Sequence, residues 1–422
     1  MRFHPLLIVA TLSAPAPATL ADGPALTLEQ AQIEARQHAP ERTVVDAKVA
    51  ATETRASAAG HRFTHDPIVI ARYQQPAPGG DSEDHAWSVG LEWTLDLSGA
   101  WRSRRAAARA TVTAAIEDRT SALLELDAEV AVTFAELADA QRRGARSARM
   151  VALRDLAARA ADRMRTAGQG NQLDADAATL DLRAAQVDAA NTRGDLDAAC
   201  ARLARLLGRR EPAGLFVADD VDTTAAPSVT ATDELVARDP GVRMATAELD
   251  AARLAAEAER QAARLAVTVG IEAGRTRHDI PSGAFASAPT LTGSWSEWEV
   301  ALSLSVPLPI IDRNRVARAA TNADALVADA RLTRMRADVR RNIIEAQARL
   351  AAAIAAVNAA VEIPQIIERE SQLLDKALRA GGIELASFAQ QAHRLVEVGR
   401  VYDDTVLIVR RARAAWARLV VR

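Results

Sequence analysis

The sequence has one cysteine, Cys200, among 422 residues, which excludes an intramolecular disulfide and a cysteine-rich metal site. Placed late in an Ala-rich helical stretch, Cys200 reads as a buried structural thiol. Lysine is nearly missing too: Lys48 and Lys376 stand alone, and arginine carries the rest of the cationic charge. Lys+Arg 52 against Asp+Glu 55 leaves a net charge of −3, and a chain without a basic excess lacks the footprint of a nucleic-acid binder. Aromatic residues make up only 3% of a chain that is 49% hydrophobic. The apolar content is therefore mostly alanine, with leucine and valine behind it. Enzyme cores lean on bulky side chains, which bury the most area per residue; an alanine-dominated chain reads instead as long, closely packed helices.

Catalytic constellations are absent as well. The seven histidines are scattered at positions 4, 38, 61, 65, 85, 278 and 393. His61 and His65 have a spacing that pairs ligands on a helix, but Pro67 follows at once, so they read as solvated loop residues. His278-Asp279 reads as a loop pair. Gly79-Gly80-Asp81 has no following Lys-Ser/Thr to make a phosphate loop. Neither an enzyme activity, nor a cofactor, nor a resident metal site is expected.

What is present begins at the N-terminus. Met1-Arg2-Phe3-His4 is a short basic start, Leu6 to Leu12 is apolar, and small residues lead to Ala21 ahead of Asp22. This is the form of a secretory signal over residues 1–21, with Ala18 as a second cleavage point. No other stretch holds 18 uninterrupted apolar residues, so no transmembrane helix is expected in the mature chain.

The rest is a tandem repeat. Trp87-Ser-Val89-Gly-Leu91-Glu-Trp93-Thr-Leu95-Asp-Leu97 stands beside Trp298-Glu-Val300-Ala-Leu302-Ser-Leu304-Ser-Val306-Pro-Leu308, at an offset of 211. Pro40 matches Pro240 at an offset of 200, and Arg165-Thr-Ala167-Gly168 matches Leu378-Arg-Ala380-Gly381 at 213. Three anchors in the same order define a first repeat over 22–208, a linker over 209–231 and a second repeat over 232–422. The change of offset is assigned to the loop after the first strand, about 13 residues in one repeat and about 24 in the other.

Each repeat reads as helix, strand, loop, strand, long helix, turn, helix. Thr27 and Gln30 have capping-box spacing, and the helix they open is expected to run to about Arg62. First strands are placed at 67–73 and 267–273. The second strands alternate, with Trp87, Val89, Leu91, Trp93, Leu95 and Leu97 pointing one way and Ser88, Gly90, Glu92, Thr94 and Asp96 the other. Such alternation suits a transmembrane β-strand, and also a half-buried strand in a soluble sheet. Five of the six tryptophans, Trp87, Trp93, Trp101, Trp295 and Trp298, lie within or beside these segments, where bilayer interfaces favour amphipathic rings. Trp87, Trp93, Trp295 and Trp298 are the expected membrane-interface aromatics.

The long helices carry heptad-like seams: Leu332, Met335, Val339, Ile343, Ala346, Leu350, Ile354 and Val357 in the second repeat, and Leu123, Leu126, Val130, Phe134 and Leu137 in the first. Pro364 is expected to kink the second. Four strands cannot close a membrane barrel, and open edges are forbidden in lipid. The chain is therefore expected to oligomerise: three copies supply twelve strands, and two would supply eight.

These residues carry a resemblance. The chain resembles the TolC-type outer-membrane factors through its signal, Leu26-Thr-Leu-Glu-Gln-Ala31 with Pro40, the duplicated strand pairs, the Gly-marked tips, and Leu203-Ala-Arg-Leu-Leu-Gly208. Val306-Pro-Leu-Pro-Ile-Ile-Asp-Arg-Asn314 is similar to a segment of the CzcC-like heavy-metal branch, as is Leu97-Ser-Gly99-Ala-Trp-Arg-Ser-Arg104; Val316 departs from that branch, which often has Gly there. The resemblance implies a mainly α fold with membrane β: a homotrimer with a 12-stranded barrel in outer-membrane lipid and a long periplasmic α-helical barrel. It further implies docking of the hairpin tips Ala167-Gly168-Gln169 and Ala380-Gly381-Gly382 onto a periplasmic adaptor served by a proton-driven inner-membrane pump of the RND type. Acidic residues that narrow the periplasmic mouth in the family fall at Asp174 and Ala177, and at Ser387 and Gln390. Only Asp174 keeps the charge, as a weakly cation-selective ring or as a solvated helical side chain. The family's latch tyrosine falls at Leu378. The expected function is passive efflux of divalent heavy-metal cations; a drug or protein duct of the same fold and a soluble periplasmic coiled-coil scaffold are the alternatives.

Overall fold

The computed structural model describes residues 25–59, 66–75, 85–211, 215–218, 230–262, 266–279, 294–306, 314–380 and 382–420. The signal, His61, His65, the 79–81 loop, most of the linker, residues 307–313 and Gly381 lie outside them. In chain order the elements are α1 (Leu28–His38), α2 (Pro40–Ala58), β1 (Ile68–Gln74), β2 (His85–Asp96), α3 (Ala100–Thr166), α4 (Gln172–Leu206), α5 (Asp233–Ala237), α6 (Pro240–Ala262), β3 (Ala266–Asp279), β4 (Ser294–Ser305), α7 (Arg315–Ala360), α8 (Ile363–Arg379) and α9 (Leu385–Val420). They form two compact units, each drawing on both repeats: the described residues within 1–43, 123–230 and 342–422, and those within 44–122 and 231–341.

In the first unit, Thr27 accepts from the Gln30 N–H and Gln30 answers the Thr27 N–H, a complete capping box. The helix it opens does not continue to Arg62. It stops at His38 and restarts at Pro40, because proline has no N–H to donate and its ring crowds the carbonyl four residues back. Ala31, Ala35 and Ala39 are at most 1% exposed. Their small side chains admit Leu126, Val130, Phe134 and Leu137 of α3 and Leu203, Leu206 and Leu207 at the end of α4. Gly208 closes α4 in a left-handed conformation, φ 70°, with Gly208 N–H bonded to Arg205 and Arg209 N–H to Ala204, the Schellman pattern. A Cβ there would overlap the His38 carbonyl oxygen, so glycine is required twice over. Part of the expected linker carries structure: Leu26 pairs in parallel with Val217, and Leu26 N–H bonds the Phe216 carbonyl at 2.8 Å.

α3 is one uninterrupted helix of 67 residues. Its counterpart is two helices, α7 and α8, broken at Val361-Glu362 with Pro364 in the first turn of α8. The seams are buried as the spacing requires: in α7 Leu332, Val339, Ile343, Ala346, Leu350, Ile354 and Val357 are each at most 7% exposed, with Met335 half-buried. The stretch 315–379 also contains an 18-residue window of mean hydropathy 1.7, apolar and long enough by composition to cross a membrane, which a search for uninterrupted apolar runs misses. Within that stretch Ala353 and Val357 pack on Val406 and Val409 of α9.

In the second unit the two expected strand pairs merge into one antiparallel sheet in the order β1-β2-β3-β4. The join is β2 with β3, from His85↔Arg277 to Asp96↔Ala266. β3 is 14 residues long against 7 for β1. The second repeat's extra length therefore lies partly in strand, and His278-Asp279 belongs to β3 and not to a loop. Asp239 interrupts the helix before Pro240, its carboxylate accepting from Gly241 N–H at 2.8 Å and Val242 N–H at 3.3 Å. The C-terminal turn of α6 holds both strand-to-helix corners. Its Gln261 accepts from Ser103 at 3.0 Å, and its Glu259 accepts from Asn314. Each corner contains a left-handed residue, Gly99 at φ 81° and Asn314 at φ 56°.

Candidate functional site

The sheet has two chemically opposite faces. Trp87, Val89, Leu91 and Trp93 are 37–49% exposed, and on β4 Trp298, Val300, Leu302 and Leu304 are 66–79% exposed. An apolar surface of that extent is unfavourable in water and fits lipid. On the other face Arg72 pairs with Glu272 at 2.8 Å, Ser88 donates to Glu272, and Thr94 meets Thr268 at 3.1 Å. Gly90 lies opposite Glu272, and Gly270 and Gly274 flank it two residues away on β3. A Cβ on Gly90 would crowd the Glu272 side chain at 3.2 Å, and one on Gly274 would crowd Ser88 at 3.0 Å. The small residues make room for the charged cross-strand cluster. With Glu92, Glu297 and Glu299 also on this face, it is acidic.

The register sorts the tryptophans. Trp87, Trp93 and Trp298 share the apolar face, and the Trp87 and Trp298 rings meet edge-on at 5.8 Å. Trp295 lies opposite His278, 4.7 Å from its ring, on the face of Glu297 and Glu299. It is thus apart from the other three. All of β4 is exposed, and β1 and β4 are the two ends of the sheet.

In the first unit the α3–α4 turn carries Ala167, Gly168 and Gln169, all exposed. Gly168 N–H bonds Arg165 at 3.0 Å and Gln169 N–H bonds Met164 at 2.9 Å, a second Schellman cap. Gly168 has φ 73°, with no atom within 4 Å of where its Cβ would stand. The second turn repeats the outer bond: Gly382 N–H to Ala377 at 2.9 Å, the same offset of 213 that the sequence shows. Ala380 and Gly382 are exposed; Gly381 lies outside the described residues.

Asp174 is in the first turn of α4 and exposed; its N–H is capped by Asn171 at 2.7 Å. Ser387 is half-buried and Gln390 exposed on α9. Ala161, Ala175 and Ala178 pack with Leu385, which brings the starts of α4 and α9 together and sets Asp174 and Ser387 at the same helix ends. Leu378 is packed with Leu153, Leu374 and Phe388, a setting that suits leucine and leaves no hydroxyl to latch.

One buried ionic cluster has no counterpart in the expected sites. Asp403 of α9 is 0% exposed, 2.6 Å from Arg146 and 3.3 Å from Arg142 of α3. Asp139 pairs with Arg143 at 2.9 Å, and Arg143 also reaches Asp404 at 2.8 Å. The Arg146 guanidinium occupies the space a Cβ on Gly399 would need. Beside the cluster is a cavity of about 220 Å³ lined by Met150, Leu153, Pro364, Ile367 and Tyr402 among others. The signal was available: Arg142, Arg143 and Arg146 on one helix and Asp403-Asp404 on another, but nothing in sequence pairs helices 261 positions apart.

Burial pushes the Asp139 carboxyl above its ordinary value of 3.8, with nearby Asp403 adding to the rise and Arg143 and Arg142 opposing it. A carboxyl raised on folding holds its proton more tightly in the folded state. Its contribution to stability is then present below the unfolded value and is lost as pH rises through the folded one. Asp139→Asn is expected to flatten the fall in stability with rising pH above 3.8, read as the midpoint of thermal unfolding across a pH series. An unchanged pH slope would count against the assignment.

Cys200 is half-buried, not fully buried. Its Sγ lies 3.9 Å from the Leu215 carbonyl, and burial, with Asp197 nearby, raises its thiol, which keeps it protonated and unreactive. Among the described residues no group of three or more His, Cys, Asp or Glu side chains could hold a metal ion.

Comparison with known proteins agrees with this geometry. Among solved structures the chain is similar to the outer-membrane channel OprN (19% identity, TM-score 0.73, covering 93% of this chain and 89% of that one). It is also similar to CusC (14%, 0.71, 97% and 95%) and to the outer-membrane protein VceC of Vibrio cholerae (15%, 0.69, 93% and 95%). At these identities the likeness speaks for the fold, the TolC-like duplicated one. No curated protein is similar enough in sequence to match. The model of the outer membrane efflux proteins matches residues 29–209 and 231–400. The place of the protein is the outer membrane, with a helical extension into the periplasm. The chain belongs to the outer membrane efflux protein family.

Proposed function

We propose that three copies of the chain close one 12-stranded barrel, and that this channel passively conducts divalent heavy-metal cations handed over by a periplasmic adaptor and a proton-driven inner-membrane pump. The observation that carries the assembly is the open four-stranded sheet with an apolar face exposed along β2 and β4. Each unpaired backbone group in lipid costs several kcal/mol, so two free strand edges make a lone chain untenable in a membrane. The duct performs no chemistry; the driving force belongs to the pump, and the channel supplies a polar path. The acidic face bearing Glu92, Glu272, Glu297 and Glu299 would line that path and favour cations over anions. The cargo reading rests on the resemblance of 306–314 and 97–104 to the heavy-metal branch.

Two measurements test these claims. Extraction from the envelope is expected to need detergent and to yield a trimer; recovery in the soluble periplasmic fraction would sink the channel. A deletion strain is expected to become more sensitive to at least one of Co, Zn, Cd, Ni, Cu or Ag. Unchanged sensitivity to all six would remove the metal cargo and leave the drug or protein duct.

A further inference from the structure

α4 carries two stripes on opposite sides. One steps by three and four from Ala175 through Leu182 and Leu196 to Leu206, and its members are buried or half-buried. It packs on α3, with Ala175 and Ala178 beside Ala161 and Leu203 and Leu206 beside Leu126 and Leu137. The other stripe is Leu173, Ala177, Leu180, Ala184 and Val187, and it continues at the same step to Ala198. All of its members are exposed, with Leu173 at 79%, Leu180 at 70% and Val187 at 61%. This is a second heptad seam, large residues alternating with alanine, and it has no helix on it. An aspartate follows each large member: Asp174, Asp181 and Asp188. Asp181 is shared with Arg154 of α3. At the offset of 213 the same positions on α9 are Ala386, Gln390, His393, Glu397 and Arg400, equally exposed but mostly polar. The duplicated helices share the exposure and differ in chemistry. Contact with water accounts for the α9 face and not for the apolar one on α4.

A matching stripe stands on α8. Ile366, Arg369, Leu373, Lys376 and Ala380 step by three and four, and all are exposed. α3 separates the two stripes, packing with α4 around Ala161 and with α8 around Leu153, so one copy does not close them on itself. Both stripes reach the tips. Leu173 is the second residue of α4 and Ala380 caps α8, and Ala175, Ala178 and Leu385 pack together at that end. Aligned antiparallel from there, Leu173 is level with Ala380, Leu180 with Leu373 and Val187 with Ile366, each step about 10 Å along the axes. Lys376 then falls between Asp174 and Asp181, and Arg369 between Asp181 and Asp188. Charges beside a coiled-coil seam set partner and orientation. Two different faces of one chain that fit each other join copies head to tail, and a rotation closes such a contact into a ring.

We propose that the seam of α4 in one copy takes α8 of the next copy, Leu180 against Leu373, with Asp174, Asp181 and Asp188 alternating with Lys376 and Arg369. The proposal rests on the three-copy channel reading above, whose assembly argument lies in the sheet, and names the helical surface that joins the copies.

The test uses the full chain with Cys200→Ser, purified in detergent, its oligomeric state read by native mass spectrometry. Leu180→Cys with Leu373→Cys is oxidised and run on a denaturing gel. Covalent trimers are expected, because a disulfide forms only between Cα atoms within about 7 Å. Each single cysteine, and Leu373→Cys paired with His393→Cys, is expected to give about tenfold less. Arg369→Glu with Lys376→Glu is expected to slow the cross-link about tenfold at low salt, and adding Asp174→Lys with Asp188→Lys to restore it. A trimer that stays uncrosslinked through Leu180 and Leu373 overturns the seam and leaves the channel reading standing, as does equal cross-linking from the His393 pair. A rate unchanged by the reversed charges, or not restored by the second pair, overturns the ionic alignment. A parent recovered as a monomer sinks the channel reading as well.

Discussion

Replacing Asp403 by alanine is expected to cost about 3–5 kcal/mol of stability, the largest single-site effect in the helical part of the chain. Asp403 is 0% exposed and faces Arg146 at 2.6 Å and Arg142 at 3.3 Å. Both arginine side chains are themselves largely buried, 17% and 22% exposed for Arg142 and Arg146. Removing the carboxylate takes away the 2.6 Å ion pair of Arg146 and leaves Arg142 a longer contact to Asp139 at 3.4 Å, where water reaches both cations poorly. Asp139 is a weak replacement, because it is already shared between Arg143 at 2.9 Å and Arg142 at 3.4 Å and its carboxyl is held above its ordinary range by burial. Heating followed by circular dichroism is expected to show a Tm several degrees below the parent. Removing the whole set, as Arg142→Met, Arg146→Met and Asp403→Leu together, is expected to restore most of the loss, since a buried ion pair contributes less than the penalty for breaking it. An alanine variant that melts with the parent would show that water reaches the cluster.

The second large effect is at the tips. Changing Gly168 and Gly381 to tryptophan is expected to abolish efflux while trimer yield stays near the parent's. The reason lies in what surrounds Gly168. Its φ of 73° makes any L side chain strained, a cost of about 1–2 kcal/mol. No atom lies within 4 Å of the Cβ position, so a bulky side chain meets nothing in its own chain and the fold should bear it. Under the proposed docking of the tips, what it obstructs is an approaching adaptor backbone. Gly168→Asn separates the two effects, because asparagine tolerates the left-handed conformation better than other residues. If only the turn matters, Asn and Trp variants differ by strain alone and both retain efflux. If contact matters, Trp is inactive and Asn intermediate. Full efflux from the tryptophan variant would remove the tips from the docking interface.

Much of this protein is legible without its structure, for a physical reason that can be read at particular residues. The capping box at Thr27 and Gln30 is a local hydrogen-bond pattern within three positions, and it is present as written. The heptad seam from Leu332 to Val357 is a local period, and it is the buried face. Alternation from Trp298 through Leu304 places the apolar side of β4, and the same count already puts Trp295 on the other side, which grouping the tryptophans by proximity obscured. The break at Pro40 is local too: the chemistry of proline ends a helical pattern that otherwise runs through it.

Other features depend on groups far apart in the chain. β2 and β3 join two repeats into one sheet through residues such as Thr94 and Thr268, 174 positions apart. Hydrophobic alternation says which face a strand shows but not which strand lies beside it. Gly208 is recognisable as a helix stop, yet only packing brings the His38 carbonyl against it. By itself the sequence determined the capping box, the helical seams, the alternation of the second strands and the duplication, because each is a periodic or local property of the chain. Tertiary structure alone decided the β2–β3 pairing, the Asp403–Arg142–Arg146 cluster and the edge-on meeting of Trp87 with Trp298, because pairing energies depend on which distant surfaces meet.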